Sequence, residues 1–141
     1  MSNFVVHQQV AIRADLTAVW DALTNPSKTK KYFFNCEVHS TWLPGSAIVF
    51  EGRMFWFFKI ALHGTILDVQ PGRLLKYELY NSGNSGKSVV TEELHFQDGV
   101  TFLSIWDDVG DERGAEKRFS KSEKGWKKVL NGLKQLLELE R

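Results

Sequence analysis

Glu92 and Asp107 are the residues of this 141-residue chain whose types and spacing could do chemistry. Asp98-Gly99 is a two-residue hairpin signal. It sets a register in which Gln97 faces Val100, Phe96 faces Thr101, Leu94 faces Leu103, Glu92 faces Ile105 and Val90 faces Asp107. Directly opposed residues share a face of the sheet. Val90, Leu94, Phe96, Leu103 and Ile105 therefore point inward together and take Glu92 and Asp107 with them. As diagonal neighbours the two carboxyls lie within about 8 Å. Inward carboxyls in apolar surroundings have raised pKa values and can do acid–base work or orient a ligand's polar group. The plainer alternative is that both sit at a pocket mouth or pair with Arg53, Arg73 or Lys76. The opposite face carries Thr91, Glu93, His95, Phe102, Ser104 and Trp106, mostly polar but with two large aromatics.

Other chemistry is excluded by spacing. Gly86-Lys87-Ser88 has the tail of a phosphate loop, but that pattern needs Gly where Asn81 stands, and it falls between two strands. His7, His39, His63 and His95 lie on different strands with no i, i+4 pair, so no metal site is expected, and His63 and His95 read as outward strand residues. No Ser sits in a Gly-x-Ser-x-Gly elbow. Cys36 is alone, which leaves neither a disulfide framework nor a zinc cluster. Charge is balanced, 18 Lys and Arg against 17 Asp and Glu, so no global field selects nucleic acid or an anionic membrane. The basic run Lys117, Arg118, Lys121, Lys124, Lys127 and Lys128 is broken by Glu116 and Glu123 and reads as a solvated helix face. The longest apolar run, Met54 to Phe58, is too short to span a bilayer, and the N-terminus lacks a signal peptide's apolar stretch, so a cytoplasmic protein is expected. No cofactor and no catalytic residue are assigned.

The elements that must position the carboxyls follow from periodicity. The chain is long enough for one domain, 1–141, with a sizeable core. Phe4 to Arg13 alternates as a strand with Val6, Gln8, Val10 and Ile12 on one face. Asp15 caps a short helix striped by Leu16, Val19, Trp20 and Leu23, and Asn25-Pro26 starts a second one that ends near Tyr32, Phe33 and Phe34. Five or six strands follow, separated by Pro44-Gly45, Pro71-Gly72, the loop Asn81 to Lys87 and Asp98-Gly99, which indicates an antiparallel meander. Trp56, Phe58, Ile60, Leu62, Gly64 and Ile66 form an inward set. Phe55, Phe57, Lys59, Ala61, His63 and Thr65 make the outward set, in which Phe55 and Phe57 are either a candidate homodimer contact or tucked in by a local twist.

Ser120 to Glu140 predicts one long amphipathic helix, opened by Ser120 and Glu123 as a capping box. Trp126, Val129, Leu130, Leu133, Leu136 and Leu137 make its apolar stripe, and Lys121, Lys124, Lys127, Lys128 and Lys134 its polar faces. Gly125 and Gly132 border the stripe, where a strand or a ligand is expected to come close. The sum is an α+β fold of the helix-grip kind: a curved antiparallel sheet around a long C-terminal helix, with two short helices after the first strand.

Four segments resemble one known family. "Ile12-Arg-Ala-Asp-Leu-Thr-Ala-Val-Trp20-Asp-Ala-Leu-Thr-Asn-Pro26" is similar to the opening motif of START-like (SRPBCC) proteins, in the branch of the heat-shock-protein-90 ATPase activator homologues. "Trp42-Leu-Pro-Gly45-Ser" resembles its next strand turn, "Gly64-Thr-Ile-Leu-Asp-Val-Gln-Pro71-Gly-Arg-Leu-Leu-Lys-Tyr77" its central hairpin, and "Gly125-Trp126…Leu130…Leu133" its last helix. Glu92 departs from the pattern, which has an apolar residue there. The resemblance implies a hydrophobic small molecule or lipid held between sheet and helix.

Joined to the aromatic content of 13%, that gives a non-catalytic binding function. The expected wall is Phe33, Trp42, Phe50, Trp56, Phe58, Leu62, Tyr77, Leu79, Leu94, Leu103 and Ile105, with Glu92 and Asp107 as orienting groups and Trp126, Leu130 and Leu133 as the lid. The bland reading of the same aromatics is that they simply fill the core. The rivals are a chaperone-interaction module, which the resemblance also implies, and a cyclase- or hydrolase-type enzyme using Glu92 and Asp107.

Overall fold

The computed structural model of the protein describes residues 2–54, 58–80 and 86–139, apart from the side chains of Met54, Phe58 and Ile60. Strand β1, Val5–Ile12, buries Val6 and Ile12 from the alternating set. Helix α1, Leu16–Thr24, begins at Asp15, whose carboxylate accepts from the Ala18 N–H at 2.8 Å. Asn25 ends it and caps α2, Pro26–Tyr32, by accepting from the Ser27 N–H. Six strands follow: β2 (Cys36–Ser40), β3 (Ala47–Met54), β4 (Phe58–Gln70), β5 (Leu74–Tyr80), β6 (Lys87–Gln97) and β7 (Val100–Asp108), and then helix α3, Ala115–Leu139. The described strands form one antiparallel sheet in the order β1-β7-β6-β5-β4-β3-β2. This is the expected α+β helix-grip fold, a curved sheet and a long terminal helix with two short helices between β1 and β2.

The β6–β7 hairpin has the expected register throughout, with Glu92 opposite Ile105 and Val90 opposite Asp107. Phe96 is the exception to its inward face, at 43% exposure. Pairing of β5 with β6 ends at Leu74 opposite Glu93, so Phe96 lies past the end of that flanking strand. Along β4, Gly64 and Ile66 are buried and Lys59, Ala61 and His63 exposed, as alternation requires. Leu67 still faces outward in phase with them, and a bulge between Ile66 and Asp68 then reverses the parity so that Val69 packs on the core. On the outer face Trp106 is covered by His7, with ring centroids 4.5 Å apart. Trp56 and the Phe55–Phe57 contact lie outside the described residues, as does Glu140 at the end of the expected helix.

Helix α3 begins five residues before the expected Ser120 cap, and Ser120 is an exposed residue within it. Phe119 and Ala115 continue the apolar stripe two and three turns back from Trp126, and Ala115 is buried. Arg118 fastens the preceding turn by donating to the carbonyls of Val109, Glu112 and Arg113. These bonds, rather than a capping box, hold the N-terminal end. Trp126, Val129, Leu130, Leu133 and Leu137 are buried against the sheet and Leu136 half-buried, a face that contributes on the order of 10 kcal/mol. Lys134 Nζ donates to the Ala11 carbonyl, and Gln8 Nε2 to the Glu123 carbonyl, so α3 runs alongside β1 in the same direction. The close approach at Gly132 is neither strand nor ligand. It is Tyr32 at the end of α2, whose Cβ would lie 3.2 Å from a Cβ added there.

Candidate functional site

Where α3 crosses the sheet the two surfaces almost meet, leaving a void of about 20 Å³. That is room for a single water-sized group. Three layers line it. The sheet contributes Ile48 and Phe50 from β3, Leu75 and Tyr77 from β5, Glu92 from β6, Leu103 from β7, and Trp42 from the β2–β3 turn. Helix α3 contributes Trp126, Val129, Leu130 and Leu133, and the short helices contribute Leu23, Thr29, Tyr32 and Phe33. Most of the space expected between sheet and helix is filled by the chain's own rings. Phe33 stacks on Phe50 at 4.7 Å and meets Trp126 edge-on at 6.0 Å, and Phe50 leans on Tyr77 at 5.9 Å.

Of the residues expected at the wall, Phe33, Trp42, Phe50, Tyr77, Glu92, Leu103, Trp126, Leu130 and Leu133 are brought together around the void. Leu94 and Ile105 are buried in the core but do not line it, and Leu62 and Leu79 pack half-buried against that core. Trp56 lies outside the described residues, and so does the Phe58 side chain. Sequence reasoning passed over Leu23, Thr29, Tyr32, Ile48, Leu75 and Val129. Leu23 and Val129 belong to helical stripes and could have been drawn in from those. Thr29 and Tyr32 sit in the polar segment Pro26–Tyr32, which carries no such signal.

Trp42 and Phe33 are held there by local chemistry. Trp42 adopts φ 60°, an uncommon conformation for a bulky residue, costing roughly 1–3 kcal/mol. The turn is secured by the Trp42 N–H donating to Ser40 Oγ and the Leu43 N–H to Ser46 Oγ. Phe33 ends α2, its N–H bonded to the Thr29 carbonyl, and the left-handed Phe34 and Asn35 then turn the chain into β2.

The two carboxyls have separate surroundings. Glu92 Oε1 accepts from the Tyr77 hydroxyl at 3.2 Å, while its Oε2 is buried without a partner. Burial pushes this carboxyl up to about 7, and the Tyr77 bond only partly opposes that. Asp107 does not line the void. Its Oδ2 accepts from Ser122 Oγ at 2.5 Å and from Trp126 Nε1 at 2.9 Å, and its Oδ1 is buried and unpartnered. Burial raises this carboxyl too, and the two donors on α3 hold it back. Neither carboxyl pairs with Arg53, Arg73 or Lys76 among the described residues, and both arginines are exposed. Asp107 thus ties β7 to α3 and fixes the Trp126 indole, leaving Glu92 as the polar group of the wall with a vacant acceptor. Among the described residues no cluster of His, Cys, Asp and Glu could hold a metal ion. No described helix is long and apolar enough to cross a membrane.

Comparison with known proteins agrees with this fold. Residues 13–138 match the family model described as Activator of Hsp90 ATPase homolog 1-like protein. Among solved structures, MLL2253 from Mesorhizobium loti superposes with TM-score 0.82 at 21% identity, over 97% of this chain and 98% of that one. ChR145 from Cytophaga hutchinsonii gives TM-score 0.76 at 28% identity, over 99% and 98%. The Aha1 dimer from Colwellia psychrerythraea gives 0.75 at 18%, over 95% and 96%. No curated protein matches the chain significantly. With the family model spanning nearly its whole length and the fold shared by these structures, the chain belongs to the family of Activator of Hsp90 ATPase homolog 1-like proteins.

Proposed function

We propose that the protein is a non-catalytic binding domain that takes a small, largely apolar molecule between the sheet and α3. Trp126, Leu130 and Leu133 form the lid, and Glu92 orients the guest's one polar group. The observation that carries this reading is the unpartnered Oε2 of Glu92, buried in a wall whose other polar side chains, Thr29, Tyr32 and Tyr77, are already hydrogen-bonded. A buried acceptor with no donor costs roughly 1–3 kcal/mol, which a ligand donor or a protonated carboxyl bonded to a ligand acceptor recovers. The void itself holds only a water-sized group, so a lipid-length guest enters by displacing Phe33 and Trp42, two half-buried aromatics of the wall. An acid–base enzyme is the weaker alternative, because Asp107 is already engaged by Ser122 and Trp126. A chaperone-interaction module is favoured by the family description, and it concerns the surface rather than the interior.

Native mass spectrometry of the purified protein, with titration of n-hexanol to n-tetradecanol followed by Trp fluorescence, tests the binding reading. A co-purifying small-molecule mass or saturable binding is expected. Absence of both across the series overturns it, and acceleration of a heat-shock-protein-90 ATPase in that case supports the interaction module.

A further inference from the structure

The polar equipment of the void is one-sided. Glu92 Oε2 has no partner, and no Lys, Arg or His lines the space among the described residues. The two phenols of the wall are occupied, Tyr77 donating to Glu92 Oε1 and Tyr32 to the Ala22 carbonyl at 2.8 Å. Around them stand the rings of Phe33, Phe50, Trp42 and Trp126. Ring faces carry negative charge density and attract a desolvated cation. A carboxylate and a set of ring faces therefore combine to favour positive charge, and nothing in the wall balances an anion. The size of the void, about 20 Å³, matches a group the size of water, and an ammonium head is such a group.

On the strength of the binding role above, we propose that the site selects a small aliphatic amine in its ammonium form and rejects fatty acids and other anions. The –NH3+ head donates to Glu92 Oε2, and the alkyl chain leaves between Phe33 and Trp42. A buried ion pair forms only with close contact, because both charges lose their water. The titratable groups facing Glu92 are Tyr77 on β5, Tyr32 on α2 and Asp107 on β7. The lining residues of α1, β3 and α3 (Leu23, Ile48, Phe50, Trp126, Leu130) have no group that titrates. Both phenols are held well above their usual range, so Glu92, pushed up to about 7 by burial, is the facing group that changes charge near neutral pH, while burial raises the Asp107 carboxyl as well. Amine affinity accordingly falls as the pH drops and Glu92 takes up its proton.

Calorimetric titration with n-hexylammonium, n-hexanol and n-hexanoate decides the matter. The amine should bind at least about tenfold tighter than hexanoate at about pH 8, and weaken towards about tenfold per pH unit below pH 6. Glu92→Gln should abolish that preference and its pH dependence. Hexanoate binding as well as the amine, or amine binding independent of pH, overturns the proposal. Hexanol bound with no advantage to the amine overturns it while leaving the binding role intact. If none of the three binds, both fall. The wild-type comparison and its pH series need no variant, so a poorly folding Glu92→Gln protein does not remove the test.

Discussion

Replacing Glu92 with Gln should make the stability difference between the two proteins change sign with pH. The folded-state carboxyl titrates near 7, against 4.5 for an ordinary glutamate, because burial disfavours its charge. Between those values the folded chain holds a proton that the unfolded chain has released. The associated stability is complete below about pH 4.5 and is lost as the pH rises through about 7. That gap corresponds to roughly 3 kcal/mol. Gln cannot titrate. It can still accept from Tyr77, but it places an amide in an apolar wall, at a pH-independent cost of about 1–2 kcal/mol. Glu92→Gln should thus be less stable than wild type at about pH 5 and more stable at about pH 8, with the curves crossing in between. Asp107 contributes the same slope to both proteins and cancels. Urea unfolding followed by Trp fluorescence at several pH values measures the difference directly. A difference constant within about 0.5 kcal/mol over that range would show that Glu92 does not sit in the dry environment from which this reasoning starts.

Three further outcomes follow from the same geometry. Trp126→Phe keeps the ring but deletes the 2.9 Å bond to Asp107, and should cost about 1–3 kcal/mol in chemical denaturation, whereas equal stability would mean that Asp107 does not anchor α3. Gly125→Ala should stabilise by up to about 1 kcal/mol, since the added Cβ meets only Phe34 Cζ at 3.7 Å. Gly132→Ala should gain less or lose, because Tyr32 Cβ stands at 3.2 Å, and thermal melts of the pair should rank them in that order. Leu133→Ala, at a fully buried position on the void, should cost about 2–5 kcal/mol and open a space that takes up xenon or benzene, detectable by crystallography.

Much of the fold was legible because it follows from short-range rules. Alternation placed the faces of β4 and β7, Asp98-Gly99 set the β6–β7 register, Asp15 and Asn25 opened the short helices, and the period of 3.6 found the buried face of α3. The α3 start was missed because Gly110 to Arg118 carries little apolar periodicity and is held by Arg118 reaching back to carbonyls, a contact that no local pattern announces. The site divided along the same line. That Glu92 and Asp107 turn inward was a matter of parity along two paired strands, which residue order alone determines. That one carboxyl is engaged by α3 while the other keeps a free oxygen on a water-sized void depended on where Ser122, Trp126 and Tyr77 arrive in space. Those positions come from the packing of a helix on a sheet, a balance of many side-chain volumes, so only the tertiary structure could decide them.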